Sequence, residues 1–275
     1  IGYGAGDIAG NCVYALLSSF VMIYLTDTVG LNAGIVGTLM AVSKIFDGVT
    51  DVFFGNMIDR TRSKMGKARP WMLWPYLGNV VCLIACFAIP MEWGQSAQYA
   101  FFFISYTMLN AVFFTANNIA YGALTALITK NGHERVQMGS LRFIFAYATS
   151  LLIQAVTVNS VEALGGGAYG WKMIAIIYAL IGLAVNTLSV FSVKELPESE
   201  LEHNKKEDSE PSEKIGYWET AKLLFTNKYF LLICGIYLMC HISNAFVGIG
   251  IYFMTYVMGD ANLLGTFASF TNIPM

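Results

Sequence analysis

The sequence predicts an all-α integral membrane protein. Of its 275 residues, 56% are hydrophobic and only 12% are charged, whereas about a quarter of the residues of an ordinary soluble domain are charged. The apolar residues form uninterrupted blocks of about 20 residues or more, the length at which an α-helix crosses the hydrocarbon core of a bilayer. Because these blocks lack the period-two alternation of barrel strands, they are predicted to be helices.

Eight such spans are predicted, the last of them incomplete. They run from Asp7 to Thr26, Gly34 to Ile58, Trp71 to Pro90, Ala97 to Ile128, Leu141 to Val161, Met173 to Val193, Tyr229 to Met258, and from Leu263 to the end. The sequence opens at Ile1 rather than Met, so further residues are expected to precede it. The five cysteines lie inside these spans and are expected to act as small packing residues.

Positive charge predicts the orientation, since short cytoplasmic loops carry an excess of Lys and Arg. Thirteen of the sixteen Lys and Arg residues fall after spans two, four and six. The loops on the opposite side hold only Lys172. The N-terminus and the central loop are therefore predicted to be cytoplasmic, in a chain that lies in the plasma (inner) membrane.

The charge pattern also divides the chain. The stretch 195–219 is polar and densely charged, and such a segment cannot bury enough apolar surface to form a packed domain. We predict a six-helix transmembrane bundle at 1–193, a charged cytoplasmic linker at 194–222, and the start of a second bundle at 223–275, with helix seven and part of helix eight.

An internal repeat supports this division. Five residues of the first span and the segment after it recur near the end of the chain in the same order and spacing. They are Tyr24, Val29, Ala33, Gly37 and Thr38, which match Tyr252, Val257, Ala261, Gly265 and Thr266. A repeat that spans six helices and a linker is typical of transporters built from two parallel halves. The chain is therefore expected to be a fragment of a twelve-helix transporter.

The loop from Gly55 to Pro70 reads GNMIDRTRSKMGKARP and is similar to the cytoplasmic signature of the major facilitators. Gly55 lets another helix approach closely. Asp59 lies near the C-terminal end of a helix, where a negative charge needs a partner, such as Arg60 or the N-terminus of a neighbouring helix. This motif is predicted to form a gating lock that opens as the two halves rock; the alternative is an ordinary positively charged loop.

Two carboxylates lie inside span two. Asp47 and Asp51 are spaced i,i+4 and share one helix face, and each charged Asp near the bilayer centre costs roughly 3 kcal/mol on insertion scales. A bound monovalent cation or a shared proton would compensate for this cost, with Thr50 as a neutral oxygen donor. The alternatives are that Lys44 pairs with Asp47 or that both acids line a wet cavity.

Over essentially its whole length the chain resembles the glycoside, pentoside and hexuronide cation symporters, the major facilitator family of the melibiose carrier. The matching strings are YGAGD at Tyr3, YLTDTVGLNAGIVGTL at Tyr24, the Asp47 and Asp51 pair, TRSKMGKARPW at Thr61, and TYVMGDANL at Thr255. This resemblance implies the major facilitator fold.

The resemblance also implies a cation site. Its members are Asp47, Thr50, Asp51 and a helix-four threonine that matches Thr115. The melibiose carrier has an amide at the position of Thr50, so the choice among Na⁺, H⁺ and Li⁺ as coupling cation stays open. No other cofactor is expected.

For the substrate, the resemblance implies a site that departs from that of the melibiose carrier. Two sugar-binding carboxylates of the family correspond to Asn11 and Asn118, and the stacking tryptophan corresponds to Gly122, whereas the helix-five arginine is kept as Arg142. Asp7, one turn before Asn11, restores a carboxylate. The alternatives are that Asp7 is an interfacial charge and that Arg142 forms a structural ion pair.

These features predict a secondary active symporter, not an enzyme, that moves a small glycoside, pentoside or hexuronide with a monovalent cation by alternating access. The sequence has no G-x-x-x-x-G-K phosphate-binding loop, which nucleotide hydrolysis would need. The expected partners are a polar solute and membrane lipid, without nucleic acid, and the protein is expected to be monomeric. The alternatives are a transporter of another amphipathic solute, such as a lipid, and a membrane sensor that binds solute without moving it.

Overall fold

The computed structural model of the chain describes residues 2–197, 225–260 and 263–272, and all of the regular elements in these ranges are helical. The α-helices are α1 (Gly6–Ile23), α2 (Ala33–Arg60), α3 (Arg69–Cys86), α4 (Gln95–Thr107), α5 (Thr115–Ile128), α6 (Gly132–Ala163), α7 (Gly167–Ser192), α8 (Lys228–Tyr256) and α9 (Leu263–Asn272). Two π-helical segments, Tyr24–Thr28 and Met108–Phe114, extend α1 and join α4 to α5. The predicted all-α fold is confirmed.

Five helical stretches of the described residues are long and apolar enough to cross a membrane. They are Gly6–Thr28, Ala33–Arg60, Gln95–Ile128, Gly132–Ala163 and Gly167–Ser192. Helix α3 has 18 residues and contains Pro75, and the apolar stretch Lys228–Ile242 of α8 is shorter than these spans.

Several helix ends differ from the predicted boundaries, among them the end of α3 and the start of α6. Helix α3 ends at Cys86 rather than at Pro90, because a proline and the residue before it disfavour helical geometry. Helix α6 begins at Gly132 instead of Leu141, and the Asn131 side chain accepts a hydrogen bond of 2.9 Å from the His133 amide at its N-cap. Its first turns are polar, so apolar periodicity alone does not detect them.

Helix α1 lies at the centre of this bundle, where it packs against α6 and α7. Leu16 and Phe20 are fully buried on it, and Tyr24 continues the same core. The Tyr24 ring lies 5.1 Å from the Phe87 ring and 6.2 Å from the Trp171 ring, measured between centroids. Helix α2, by contrast, leaves most of its apolar surface exposed, as expected for a helix that meets lipid or further protein.

Three spans meet at one backbone oxygen. Asn117 Nδ2 on α5 and Asn186 Nδ2 on α7 both donate to the Met72 carbonyl of α3, at 2.6 and 2.9 Å. Both amide side chains are buried. Buried amides commonly join helices in membrane proteins, and this is what the two asparagines do here.

The carboxylate of Glu195 caps the N-terminus of α3. It accepts backbone hydrogen bonds from Lys67, Ala68 and Arg69 at 2.7, 3.0 and 3.0 Å, which satisfies amides that a helix start leaves unpaired. Gly66, with φ of +109°, makes room for it, because a Cβ at this position would lie 2.3 Å from Glu195 Cδ. Glu195 was predicted to belong to the linker, and the structure instead attaches it to the loop between α2 and α3.

The chain forms two compact units. One comprises Ile1–Glu195 with Ile251–Met275, and the other Leu196–Gly250. In the first unit, the Tyr252 hydroxyl lies 3.1 Å from Thr26 Oγ1. Helix α9 packs closely on α6 there, since a Cβ at Gly265 would lie 2.6 Å from Ala155 Cα. Residues 198–222 lie outside the described ranges, so the predicted linker stays a prediction.

Candidate cation and substrate sites

The first candidate site joins α2 to α5. Thr115 is the first residue of α5, directly after the π-helical segment, and is buried. Its hydroxyl donates a hydrogen bond of 2.5 Å to Asp47 Oδ1 and also lies 2.9 Å from the Asn110 carbonyl oxygen. A hydroxyl has a single proton to donate but two acceptor lone pairs, so Thr115 can also offer oxygen to a cation.

The second oxygen of Asp47 faces Lys44 on the same helix. Lys44 Nζ lies 3.1 Å from Asp47 Oδ2, and the two side chains are 55% and 24% exposed. The ion pair between Lys44 and Asp47, which the sequence left open as an alternative, is therefore present. An ion pair with one partner this exposed contributes little stability, so a solvated cation can compete with the ammonium group for the carboxylate.

The remaining cation-site candidates follow on α2. The Thr50 hydroxyl points back to its own helix, 3.1 Å from the Phe46 carbonyl and 3.0 Å from the Asp47 carbonyl, as helical threonines often do. Asp51 is exposed and makes no hydrogen bond with another described residue. The structure thus brings Asp47 and Thr115 into contact, and Asp51 lies one helical turn further along α2.

The second candidate site joins the start of α1 to α6. Arg142 Nε donates to Asp7 Oδ2 at 2.8 Å, and the side chains are only 26% and 16% exposed. The Arg142 guanidinium also lies over the Tyr121 ring, with its Cζ 4.2 Å from the ring centroid. This is the geometry of a cation–π contact. Asp7 and Arg142 are therefore partners of each other.

Two tyrosines complete this cluster. Tyr121 OH lies 3.0 Å from Asp7 Oδ2 and 2.7 Å from the Tyr3 carbonyl oxygen. Tyr3 OH donates to the Tyr121 carbonyl at 3.0 Å and is hydrogen-bonded to the Thr125 hydroxyl. Burial raises the pKa of the Tyr3 phenol, so it stays a neutral donor. Sequence reasoning missed both: Tyr3 opens the matched string YGAGD, whereas no signal marks Tyr121.

The candidate amides lie on α1 and α5. Asn11 Nδ2 donates to the Asp7 carbonyl at 2.9 Å. Asn118 is exposed, and no hydrogen bond joins it to another described residue. It follows Thr115 by three residues, so the two side chains are neighbours on the helix surface. A Cβ at Gly122 would meet no atom within 4 Å, which leaves open space one turn beyond Asn118.

The gating motif lies at the end of α2. A Cβ at Gly55 would meet no atom within 4 Å, so no helix approaches it closely here. Asp59 and Arg60 are exposed, and neither forms an ion pair with another described residue. Their gating role stays a prediction.

The comparisons with known proteins agree on one group. The model of the family described as MFS/sugar transport protein matches residues 2–275. The chain is 30% identical over 270 residues to a putative glycoside/cation symporter of Escherichia coli (strain K12), covering 97% of this chain and 56% of that protein. It is also 30% identical over 268 residues to an isoprimeverose transporter of Lactiplantibacillus pentosus, covering 95% of this chain and 53% of the transporter.

A third relative extends over the whole chain. The chain is 28% identical over 279 residues to an uncharacterized symporter of Bacillus subtilis (strain 168), covering 100% of this chain and 58% of that protein. The chain therefore spans about half of the length of the curated relatives that it matches.

Proposed function

This chain belongs to the MFS/sugar transport protein family, and from that premise we propose that the whole protein is a symporter. It moves a small glycoside, pentoside or hexuronide together with a monovalent cation by alternating access. The observation that carries the proposal is the Asp47 carboxylate, which is held by Thr115 across two spans in a place where charge is costly. The family and the named relatives are transporters rather than enzymes.

The cation would bind at Asp47. The oxygen atoms of Asp47, Thr115, Asp51 and Thr50 form a set of hard ligands, the type that Na⁺ and Li⁺ prefer, and the two carboxylates can share a proton instead. Lys44 holds Asp47 Oδ2 at 3.1 Å, so an arriving cation displaces the ammonium group from that oxygen. Departure of the cation lets the Lys44 contact form again, so Asp47 is not left without a counter-charge.

The solute would bind beside this site. Asn118 is exposed one turn from Thr115, and the space at Gly122 admits a sugar ring. Amides both donate and accept hydrogen bonds to hydroxyl groups. Asp7 and Arg142, as a bound pair, would orient the solute rather than act as free charges. The names of two relatives, a putative glycoside/cation symporter and an isoprimeverose transporter, support a glycoside as the solute.

The proposed location is the plasma (inner) membrane, with the N-terminus and the central loop on the cytoplasmic side. The basic loop between α2 and α3 supports this orientation through the positive-inside rule. We propose Asp59 and Arg60, at the C-terminal end of α2, as part of a cytoplasmic gate whose partners lie in the remainder of the protein.

Counterflow tests the proposal. The full-length protein is reconstituted in vesicles loaded with a candidate glycoside, and uptake of the same labelled glycoside is followed without a gradient. We expect exchange that depends on the protein and is stimulated by Na⁺, Li⁺ or low pH. Glu92→Gln, in an exposed loop, is the control variant and should exchange normally. A protein that binds a glycoside but never exchanges it is a sensor and contradicts the proposal.

A further inference from the structure

An apolar pocket of about 380 Å³ lies between α2, α3 and the junction of the π-helical segment with α5. Its walls include Phe54 of α2, Trp71, Trp74 and Pro75 of α3, and Phe113 and Ala116 of the fourth span. Every residue that lines it is apolar. The Trp74 side chain is largely exposed, so the pocket opens to the outer surface of the bundle.

The pocket lies at the N-terminal end of α3. Its α3 residues lie in the first two turns of that helix, within about 9 Å of its N-terminus at 1.5 Å per residue. Ala116 precedes Asn117, whose side chain donates to the Met72 carbonyl at 2.6 Å, so Ala116 lies level with the first turns of α3. Phe113 closes the deep end, since a Cβ at Gly78 would lie 2.3 Å from its ring. The pocket thus lies beside the first two turns of α3, with Phe113 at its end towards the middle of that helix.

A polar and positively charged segment adjoins the shallow end of the pocket. Trp71 Nε1 donates a hydrogen bond of 2.7 Å to Thr61 Oγ1, which links the start of α3 to the end of α2. Arg60 ends α2, and Arg62 and Lys64 follow in the loop; all three are exposed, and none forms an ion pair with another described residue. Tryptophan and clustered Lys or Arg are the residues that meet lipid headgroups at a membrane surface.

We propose that this pocket is a binding site for an anionic phospholipid, with one acyl chain between Trp74 and Phe113 and the headgroup on the basic loop. The apolar lining suits an acyl chain, and the positive charge of the adjoining loop selects an anionic headgroup over a zwitterionic one. A free apolar solute would gain nothing from that charge. This site is separate from the solute and cation sites of the proposed function.

The position of the pocket gives the lipid a consequence for transport. Ala116 lines the pocket and follows Thr115, which holds Asp47. Phe113 belongs to the π-helical segment that precedes Thr115. A bound acyl chain therefore packs against the back of the helix segment that presents Thr115 to the cation site, and it stabilises that segment.

Tryptophan quenching by brominated lipids tests the proposal directly. The full-length protein is reconstituted in phosphatidylcholine vesicles containing increasing fractions of brominated phosphatidylglycerol or, separately, brominated phosphatidylcholine. The difference in fluorescence between the parent and a Trp71→Phe/Trp74→Phe variant isolates the pocket. We expect the anionic lipid to quench this difference signal at a several-fold lower fraction than the zwitterionic lipid.

Two sets of variants sharpen the result. Arg62→Gln/Lys64→Gln changes only exposed side chains, and it should make the two lipids equally effective. Ala116→Phe fills the pocket and should remove the quenching, whereas Ala97→Phe, at an exposed position of α4, should leave it unchanged.

Three outcomes overturn the proposal. Equal quenching of the parent by both lipids means that the pocket does not select an anionic lipid. Absence of quenching means that another part of the protein fills the space. A preference for the anionic lipid that survives in Arg62→Gln/Lys64→Gln means that the basic loop does not bind the headgroup.

Discussion

Thr115 holds Asp47 from the opposite side of the α2–α5 interface, through a hydrogen bond of 2.5 Å between its hydroxyl and Asp47 Oδ1. The pair positions a carboxylate and a neutral oxygen at one point between two helices. In the proposed mechanism this is where a coupling cation binds.

Thr115→Val keeps the shape of the side chain and removes the hydroxyl. A hydrogen bond to a charged group contributes about 1.5–3 kcal/mol, so we expect the cation concentration needed for half-maximal stimulation of solute binding to rise by about tenfold or more. Thr115→Ser keeps the oxygen and should stay close to the parent. A Val variant with unchanged cation dependence excludes Thr115 as a ligand.

Asp51→Asn removes one charge from the carboxylate pair. We expect this variant to lose uphill accumulation of solute in response to a Na⁺ or proton gradient but to retain part of its solute binding, because the coupling free energy between two sites is reciprocal and the solute contacts remain. Accumulation is measured in vesicles, and binding by a thermal shift with solute. If the variant still concentrates solute, Asp51 is not a required cation ligand.

The Asp7–Arg142 ion pair is largely buried, so removing one partner leaves an unpaired charge. Arg142→Gln is expected to destabilise the protein by about 2–3 kcal/mol and to lower its unfolding temperature in detergent. Asp7→Asn/Arg142→Gln should recover part of the loss, since no lone charge remains. Lys172→Gln, at an exposed position in the first turns of α7, serves as the control. If the double variant unfolds at the same temperature as Arg142→Gln or below it, Asp7 and Arg142 do not act as an ion pair.

Gly66→Ala tests the cap that Glu195 forms on α3. The backbone at Gly66 has φ of +109°, and the new Cβ would lie 2.3 Å from Glu195 Cδ, so we expect a loss of about 1–3 kcal/mol together with a lower unfolding temperature. Gly94→Ala is the matched control, because its backbone has φ of −62° and its Cβ would meet no atom within 4 Å. Equal unfolding temperatures for the two variants contradict a structural role for the cap.

Cysteine labelling checks the proposed orientation. In a background without the native cysteines, a membrane-impermeant reagent added from outside should label Glu92→Cys but not Ser63→Cys; both positions are exposed. Permeabilised cells should label both and so provide the control. The reverse pattern places the basic loop outside the cell.

The sequence predicts the helical spans well because hydrocarbon thickness and backbone hydrogen bonding leave few alternatives. It predicts the candidate residues Asp47 and Thr115 through a resemblance, and their contact in space comes from the structure. Helix periodicity alone does not predict this contact, because the π-helical segment Met108–Phe114 changes the face of the fourth span on which Thr115 lies.

Other contacts depend on backbone detail that a sequence pattern does not encode. In the sequence, Glu195 resembles the other charged residues of the linker. In the structure, its carboxylate accepts hydrogen bonds from three backbone amides. The glycine at position 66 is the only local signal for this approach, and many loop glycines have no such role. Likewise, Lys44 and Asp47 are three residues apart on α2, a spacing that permits an ion pair. That the ion pair forms is known only from the structure.

The π-helical segment of the fourth span has a consequence for sequence comparison and for engineering. One residue turns an α-helix by about 100°, and a π-helical turn holds one residue more than an α-helical turn. Closing this segment into regular α-helix with all of its residues kept would therefore turn Thr115 by about 100° relative to the residues before the segment and separate it from Asp47, whereas closing it with Phe113 deleted would keep the direction of Thr115. A homologue that is one residue shorter in this span and has a regular α-helix there would still present the residue aligned with Thr115 to the carboxylate.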